Sequence, residues 1–496
     1  MWAAGFLSFW SYPRIAAQQP PAPIGQAQPE KPTPASTTKH KLGPVEIHVN
    51  WRARAEGWNW FKGDLGRNDY ALGHSLLRIG IGQARDRFDW QIEIAQDTLL
   101  GLPSDAIAPT PQGQLGLGGT YYAANGNHSN NASAFVKQAF LKFKSPVRNL
   151  RVGRFEFFDG LEIQPKVTTL ASLIQTRISQ RLIANFGFSA VQRSFDGATF
   201  SSNFGKSNLT FLAARPTEGV FQVDGMGELD IDVYYGAFNL PVESKHSTGQ
   251  IRVFGLGYID HRTIVLKTDN RPLASRAGDH GRIEIGTYGA DYLHVFNTAK
   301  FGKFDILGWG ALQTGSWGLL VQRAGAFVGE LGWQPPVQSL EPWLSGGYSY
   351  GSGDGNSNDS RHGTFFQVLT TPRLYARFPF YNMMNNQDFY GTLNLRPNAK
   401  LQLRSEAHTL RLASAADLWY LGGGAFQSQT FGYTGRPSNG QQGLANVWDL
   451  SADYQITPWF SATLYYAHAW GKGVISDIYP NGSSAQLAYL ETSFHF

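Results

Sequence analysis

The chain has 496 residues, a formal net charge of +5 at pH 7, 56 glycines and no cysteine. The absence of cysteine excludes disulfide scaffolds, thiolate metal sites and cysteine nucleophiles, and 16% charged residues is well below the roughly 25% of soluble globular proteins. No run approaches the 18 or so apolar residues of a spanning helix, which excludes a polytopic helical membrane protein, and no Lys/Arg run predicts a nucleic-acid partner.

The first 43 residues are predicted to lie outside the folded domain. Residues 1–18 contain a short apolar stretch followed by small residues, which indicates a secretory signal peptide, although no Lys or Arg precedes the apolar stretch. Residues 19–43 are rich in proline and contain no large apolar cluster, so they are predicted to form a disordered linker.

From residue 44 onwards, polar and apolar residues alternate strictly in many segments. The alternation is unbroken over twelve residues in Val45–Glu56, and it recurs in Arg87–Ile94 and Lys400–His408. Together with weaker segments, this predicts 16–18 strands, and the length of each is near the 9–11 residues that cross a bilayer at a tilt. The pattern favours an all-β fold, a transmembrane antiparallel β-barrel of about 18 strands over residues 44–496, above a soluble β-sandwich.

Residues 170–182 depart from this pattern. Leu170, Leu173, Ile174, Ile178 and Leu182 are near helical spacing. The segment is therefore either a short helix in a loop folded into the pore or a distorted strand. A helix would place Arg177 and Arg181 on one face.

Two short motifs near residue 350 resemble chemical sites. Gly347–Gly351 matches the GxSxG nucleophile pattern, but it lies in an alternating segment with no helix after it, so no enzymatic activity is predicted. Asp354, Asn356 and Asn358 offer oxygen atoms at alternate positions, a weak calcium candidate that lacks the glycine and the glutamate of a calcium loop. The predicted metal and cofactor content is accordingly none.

The end of the chain and its connections point to the bacterial outer membrane. The last residue, Phe496, shares a face with Phe494, Thr492 and Leu490, and a terminal aromatic residue is typical of strands that the outer-membrane barrel assembly machinery inserts. Short turns alternate with long Gly/Asn/Ser segments at 102–131, 352–362, 433–443 and 471–484, as expected for periplasmic turns and extracellular loops. The predicted surroundings are outer-membrane lipid outside the barrel and water within it.

Residues two apart on a strand share a face, so the polar set of each strand is predicted to line the lumen. Basic members of that set could hold anionic cargo, or they could neutralise neighbouring acids and brace the wall. The predicted pore-lining residues are Arg52, Arg54, Arg78, Lys142, Arg252, Arg282, Lys400, Arg404, Glu93, Glu406, His408, Asp449 and Asp453.

Several segments resemble the alginate-export family of outer-membrane β-barrel porins. They are Trp343–Asp354, which includes the loop motif Ser352-Gly353-Asp354, Phe365-Phe366, Leu393–Pro397, Glu406–His408, Asp417–Tyr420, Val152–Arg154 and Phe195–Gly197. The resemblance implies a monomeric 18-stranded barrel with an Arg-lined constriction, an anionic polysaccharide or oligosaccharide as cargo, and periplasmic export proteins as partners. The chain departs from this pattern by carrying acids beside the bases on its inward faces.

The predicted function is an outer-membrane channel that passes a polar, anionic saccharide by passive diffusion. One alternative is a general or nutrient-uptake porin for small solutes. The alternative of another class is an outer-membrane enzyme or an adhesin.

Overall fold

A computed structural model of the protein describes residues 40–496, except for the side chains of residues 40 and 373. Eighteen antiparallel strands form one sheet, which closes into a barrel because the last strand pairs with the first. The strands are β1 (Val45–Asn59), β2 (Asp69–Ala84), β3 (Phe88–Leu100), β4 (Asn131–Lys144), β5 (Arg148–Phe155), β6 (Phe195–Phe204), β7 (Ser207–Pro216), β8 (Ile231–Ser244), β9 (Ser247–Asp260), β10 (Ile283–Thr298), β11 (Gly302–Trp317), β12 (Leu320–Gln334), β13 (Trp343–Gly351), β14 (Asn386–Asn398), β15 (Leu401–Leu412), β16 (Gly443–Thr457), β17 (Phe460–Gly471) and β18 (Ser484–His495).

The predicted barrel is thereby confirmed, with its strand count. The predicted signal peptide and residues 19–39 of the predicted linker lie outside the described residues. The last linker residues differ from the prediction, because His40–Leu42 form a short strand that pairs with Val45–Ile47 at the start of β1.

The alternation of side chains places apolar groups on the outer surface. Trp51 and Ile92 are 43% and 47% exposed, whereas Arg54 and Glu93 on the same two strands are buried. An aromatic group on the outer surface at the short-turn end joins Trp51, Phe460 and Phe494, with ring centroids 5.4 Å apart for Trp51–Phe494 and 4.3 Å apart for Phe460–Phe494. Such groups are typical of the membrane–water interface of outer-membrane barrels.

The interior of the barrel is filled by its long connections. The longest of these, the inserted loop (residues 156–194), contains an α-helix, Thr168–Leu173, that continues as a π-helix, Ile174–Ile178. The helix expected within residues 170–182 is therefore present. Shorter helices occur at Leu117–Ala124, Leu273–Ala277, Pro372–Leu374 and Gly473–Ile478, and a hairpin occurs at Leu418–Gly422 and Tyr433–Pro437.

Two hydrophobic clusters hold these connections against the wall. Leu170, Leu173 and Ile178 of the inserted loop share a core with Ile283 of β10 and Leu307 of β11. The second core contains the tryptophans of β1 and of the neighbouring loop, with Phe186 and Phe188 of the inserted loop. No helix between residues 40 and 496 is both long enough and apolar enough to cross a membrane.

Candidate functional site

A cavity of about 1280 Å³ lies inside the barrel between the inserted loop and the wall. Its lining reaches from the short-turn ends of β13 and β15, at Trp343 and Gln402, to His408 further along β15. The π-helix supplies Arg177, and the segment after it supplies Arg181. The ionisable lining residues are Arg177, Arg181, Arg404, Glu330, Asp388, Glu406 and His408.

Two of these arginines come from the inserted loop and differ in their partners. Arg177 is neutralised, because its Nη1 lies 2.5 Å from Asp305 Oδ1 and 2.9 Å from Glu330 Oε1. Arg181 is buried and makes no ion pair with any residue that the structure describes. Its guanidinium lies 3.8 Å from the centroid of the Tyr375 ring and donates a 2.7 Å hydrogen bond to the Arg177 carbonyl. Arg181 therefore brings to the cavity wall a positive charge that has no direct ion pair among the described residues.

Of the predicted pore-lining residues, Arg404, Glu406 and His408 line this cavity. Arg404 is ion-paired with Glu406, two residues along the same strand. Asp449 and Asp453 are buried on the adjacent strand β16, where Asp449 lies directly opposite Glu406. This part of the predicted set is therefore brought together on two neighbouring strands.

A second part of the set binds the inserted loop to the wall. Arg54 is ion-paired with Glu491 and donates a 3.0 Å hydrogen bond to the Phe188 carbonyl, and Arg52 donates to the carbonyl of Gly187 at 2.5 Å. Arg78 and Arg252 also bind the inserted loop to the wall, because each pairs with an acid of the loop. Arg78 pairs with Glu93 at 2.5 Å and with Glu156 at 3.0 Å, and Arg252 pairs with Asp291 at 2.6 Å and with Glu162 at 3.2 Å.

Burial and the neighbouring positive charges shift the pKa values of two acids in the inserted loop. Burial opposes the ionisation of Glu156, but the Arg78 and Lys137 charges outweigh it and hold the pKa of Glu156 below its ordinary value. Burial raises the pKa of Asp159 to about 6, although Arg252 and the amides of Ile183 and Leu182 favour its ionised form. Asp159 thus connects the loop's own backbone to the barrel wall.

Three predicted positions lie neither at the cavity nor in the contacts that bind the inserted loop to the wall. Arg282 is half exposed before β10, and the inward positions of that strand are the apolar Ile283 and Ile285, so the prediction that Arg282 faces the lumen is wrong. At this end of β10 the inward positions are apolar because Ile283 and Ile285 belong to a hydrophobic core that includes residues of the interior connections. Lys400 is exposed in the turn before β15 and is also not on the inner wall, whereas Lys142 is half-buried opposite Asp89 near the short-turn end.

The loop motif Ser352-Gly353-Asp354 joins two interior connections. The Ser352 hydroxyl donates a 2.8 Å hydrogen bond to the Gly363 carbonyl, and the Asp354 amide donates a 2.8 Å hydrogen bond to Asp417 Oδ2. A Cβ at Gly353 would collide with the Asn385 side chain, so the close approach requires glycine.

The weak calcium candidate in the same loop stays a prediction. Asp354 Oδ1 accepts from the Asn356 amide at 3.1 Å, and Asn356 Oδ1 accepts from the Asn358 amide at 3.1 Å. The Asp354 and Asn356 oxygens are thus used in successive turns.

Residues at the cavity that were not predicted come from loops and from other strands. Arg377 lies 3.6 Å from Glu406, and Tyr375 packs on Arg181. The only local signal for either is a run of aromatic residues, Tyr375–Tyr381, within a connection. Asp305 lies on a strand whose inner face is otherwise largely apolar, and alternation gave no reason to select it.

The fold is similar to that of several solved outer-membrane proteins. Acinetobacter baumannii OccAB2 has a TM-score of 0.55 at 9% identity, covering 92% of this chain and 99% of that chain. The outer membrane protein OprD from Pseudomonas aeruginosa has a TM-score of 0.51 at 9% identity, covering 93% and 95%. Pseudomonas aeruginosa OpdK, solved with vanillate, has a TM-score of 0.51 at 8% identity, covering 91% and 98%.

Sequence comparison gives a complementary result. The model of a family described as alginate export matches residues 45–473, which include nearly the whole barrel. No curated protein matches the chain in sequence.

Proposed function

Since the chain belongs to the alginate export family and is a channel of the bacterial outer membrane, we propose that it passes a polar, anionic saccharide by passive diffusion. The observation that carries the proposal is Arg181, a buried cation on the cavity wall without an acidic partner among the described residues. A guanidinium grips a carboxylate with two parallel hydrogen bonds, which suits the carboxyl group of a uronic acid.

The rest of the lining supports a saccharide over a simple inorganic anion. Amide side chains line the cavity, among them Gln175, Asn394 and Gln402, and each offers both donors and an acceptor to sugar hydroxyls. A path with several weak contacts allows cargo to leave as well as to enter, which passive transport requires.

A second candidate is the uptake of small carboxylates, and one observation favours it. The inserted loop and the connections beside it occupy part of the barrel interior, which narrows the space left for cargo. OpdK, which shares this fold, was solved with vanillate, a small aromatic carboxylate. Both candidates use the same cation, and they differ in cargo size.

Single-channel recording in planar bilayers tests the proposal. We expect an anion-biased reversal potential in a salt gradient and a current that uronate oligosaccharides block. Arg181→Gln should weaken this block by about 10- to 100-fold, the value of losing a hydrogen bond to a charged group of roughly 1.5–3 kcal/mol. Arg282→Gln is the matched control, because it removes an equal charge from an exposed position and should leave the block unchanged.

The outcomes separate the candidates. Equal block of the wild-type and Arg181→Gln channels, or equal block by neutral and uronate oligosaccharides, would contradict an anionic saccharide. Block by monomeric carboxylates but not by uronate oligosaccharides would favour the small-solute channel instead.

A further inference from the structure

Three buried side chains with metal-binding atoms meet in the barrel wall beside the cavity. Glu406 and His408 are two apart on β15 and share its inward face, and Asp449 on β16 lies directly opposite Glu406. One donor atom of each lies within 4.8 Å of those of the other two, and all three residues are at most 5% exposed.

Each of the three leaves a buried polar atom without a hydrogen-bond partner. The atoms are Glu406 Oε2, His408 Nε2 and Asp449 Oδ1. A buried polar atom of this kind is destabilising, and native proteins contain few of them. Two carboxylates directly opposite each other on neighbouring strands also repel, unless a cation lies between them. Three such atoms in one group therefore point to a ligand.

The local charge is also out of balance. Asp388 and Asp453 are buried close by, so four carboxylates meet here, whereas the guanidinium groups beside them among the described side chains are those of Arg377 and Arg404. An imidazole binds a metal in its neutral form, and with His408 in that form the four carboxylates exceed the two guanidinium groups by two charges. A divalent cation carries the charge that would balance them.

The orientation of His408 suits such an ion. Its Nδ1 lies 2.9 Å from Asp388 Oδ2, and a neutral ring that donates Nδ1–H to that carboxylate has its lone pair on Nε2. A histidine that holds a metal is commonly oriented by a carboxylate on its other nitrogen. Asp388 is in this sense a positioning residue.

We propose that Glu406, His408 and Asp449 form a binding site for a divalent transition-metal ion in the channel wall. One imidazole and two carboxylates are typical ligands of Zn²⁺, which lies about 2.0–2.2 Å from nitrogen and oxygen donors, so the three side chains close by roughly 1 Å on binding. Glu406 and His408 also line the cavity. The bound ion therefore makes this part of the wall more positive, whatever the cargo is.

Zinc binding by the full-length protein, refolded in detergent and freed of metal by chelation, tests the site. We expect about one Zn²⁺ per chain by titration calorimetry and by elemental analysis after dialysis. Asp388→Asn should weaken binding by about 10- to 100-fold, as for other residues that orient a ligand, and His408→Gln should weaken it further. Asp449→Asn gives a second ligand variant should His408→Gln fail to fold.

His74→Gln is the matched control. His74 is equally buried in the wall and pairs with Glu56 at 3.1 Å, but it belongs to no three-residue metal group among the described residues. We expect this variant to bind Zn²⁺ as the wild type does. The inference is overturned if wild-type protein binds no more Zn²⁺ than His408→Gln, or if His74→Gln loses binding to the same degree.

The reversal potential provides a second readout. Micromolar Zn²⁺ should shift the reversal potential of the wild-type channel in the direction of greater anion selectivity, and chelation should reverse this shift. The His408→Gln channel should show no shift. A wild-type channel whose selectivity is identical with and without bound Zn²⁺ would contradict the effect on the wall charge.

Discussion

Replacing Arg78 by methionine should release the inserted loop from the barrel wall. Arg78 bridges Glu93 on β3, at 2.5 Å, and Glu156 at the start of the loop, at 3.0 Å. All three side chains are buried, so the substitution leaves two carboxylates with reduced compensation. Lys137 at 3.4 Å from Glu156 and His48 at 2.9 Å from Glu93 remain.

The magnitude follows from the burial of this network. Removing one partner of a buried ion pair costs about 3–5 kcal/mol, because the other charge stays desolvated. At about 1.4 kcal/mol for each factor of ten, the population with a detached loop should rise by roughly two to three and a half powers of ten. Neutralising both acids as well, in Arg78→Met/Glu93→Gln/Glu156→Gln, should restore part of the loss.

Limited proteolysis and single-channel recording measure the effect. We expect faster cleavage within residues 156–194 and a larger, noisier conductance for Arg78→Met. Arg154→Met is the control, since Arg154 pairs at 2.6 Å with Asp196 on the adjacent strand in a partly exposed site, where the loss is about 0–1 kcal/mol. Wild-type cleavage rates and conductance in Arg78→Met would refute the role of this network.

Two further predictions concern the extracellular connections and the outer surface. Burial against Trp317 lowers the pKa of His362 from 6.5 to about 3. The neutral His362 ring therefore stabilises the connection of residues 352–385 fully above pH 6.5. This stabilisation is lost as the pH falls towards 3, by about 2 kcal/mol at pH 5. Burial raises the pKa of Asp417 to about 6, which changes stability with pH in the opposite direction. Cleavage within residues 352–385 should therefore be compared between wild type and His362→Asn at pH 7 and pH 5. An identical pH dependence in the two proteins would contradict the contribution of His362. Leu464 on β17 is 59% exposed opposite Leu490, and Leu464→Arg should destabilise the barrel by about 2–4 kcal/mol in urea unfolding from vesicles, with Leu464→Ala much less affected. Equal unfolding midpoints for Leu464→Arg and wild type would show that this position does not face lipid.

The sequence alone determined the features that depend on neighbours along the chain. Strict alternation in Val45–Glu56 requires one polar and one apolar face, and this property of an extended backbone holds in any fold that contains the strand. The spacing of leucine and isoleucine within residues 170–182 is also local, and it indicated a helix as one of two alternatives, the other being a distorted strand. Strand number and the outward position of Trp51 follow from such patterns.

Only the tertiary structure decided what the inward side chains meet. Arg282 was assigned to the wrong face because Ile283 and Ile285 are buried in a core that includes residues of the interior connections, and no pattern within β10 records this packing. Arg177 is paired and Arg181 has no ion pair among the described residues, although both belong to one short segment, because Asp305 and Glu330 lie on strands far along the chain. The meeting of Glu406 with Asp449 likewise depends on the register between β15 and β16. Register and loop docking are set by long-range packing, whereas alternation is set by the residue and its nearest neighbours.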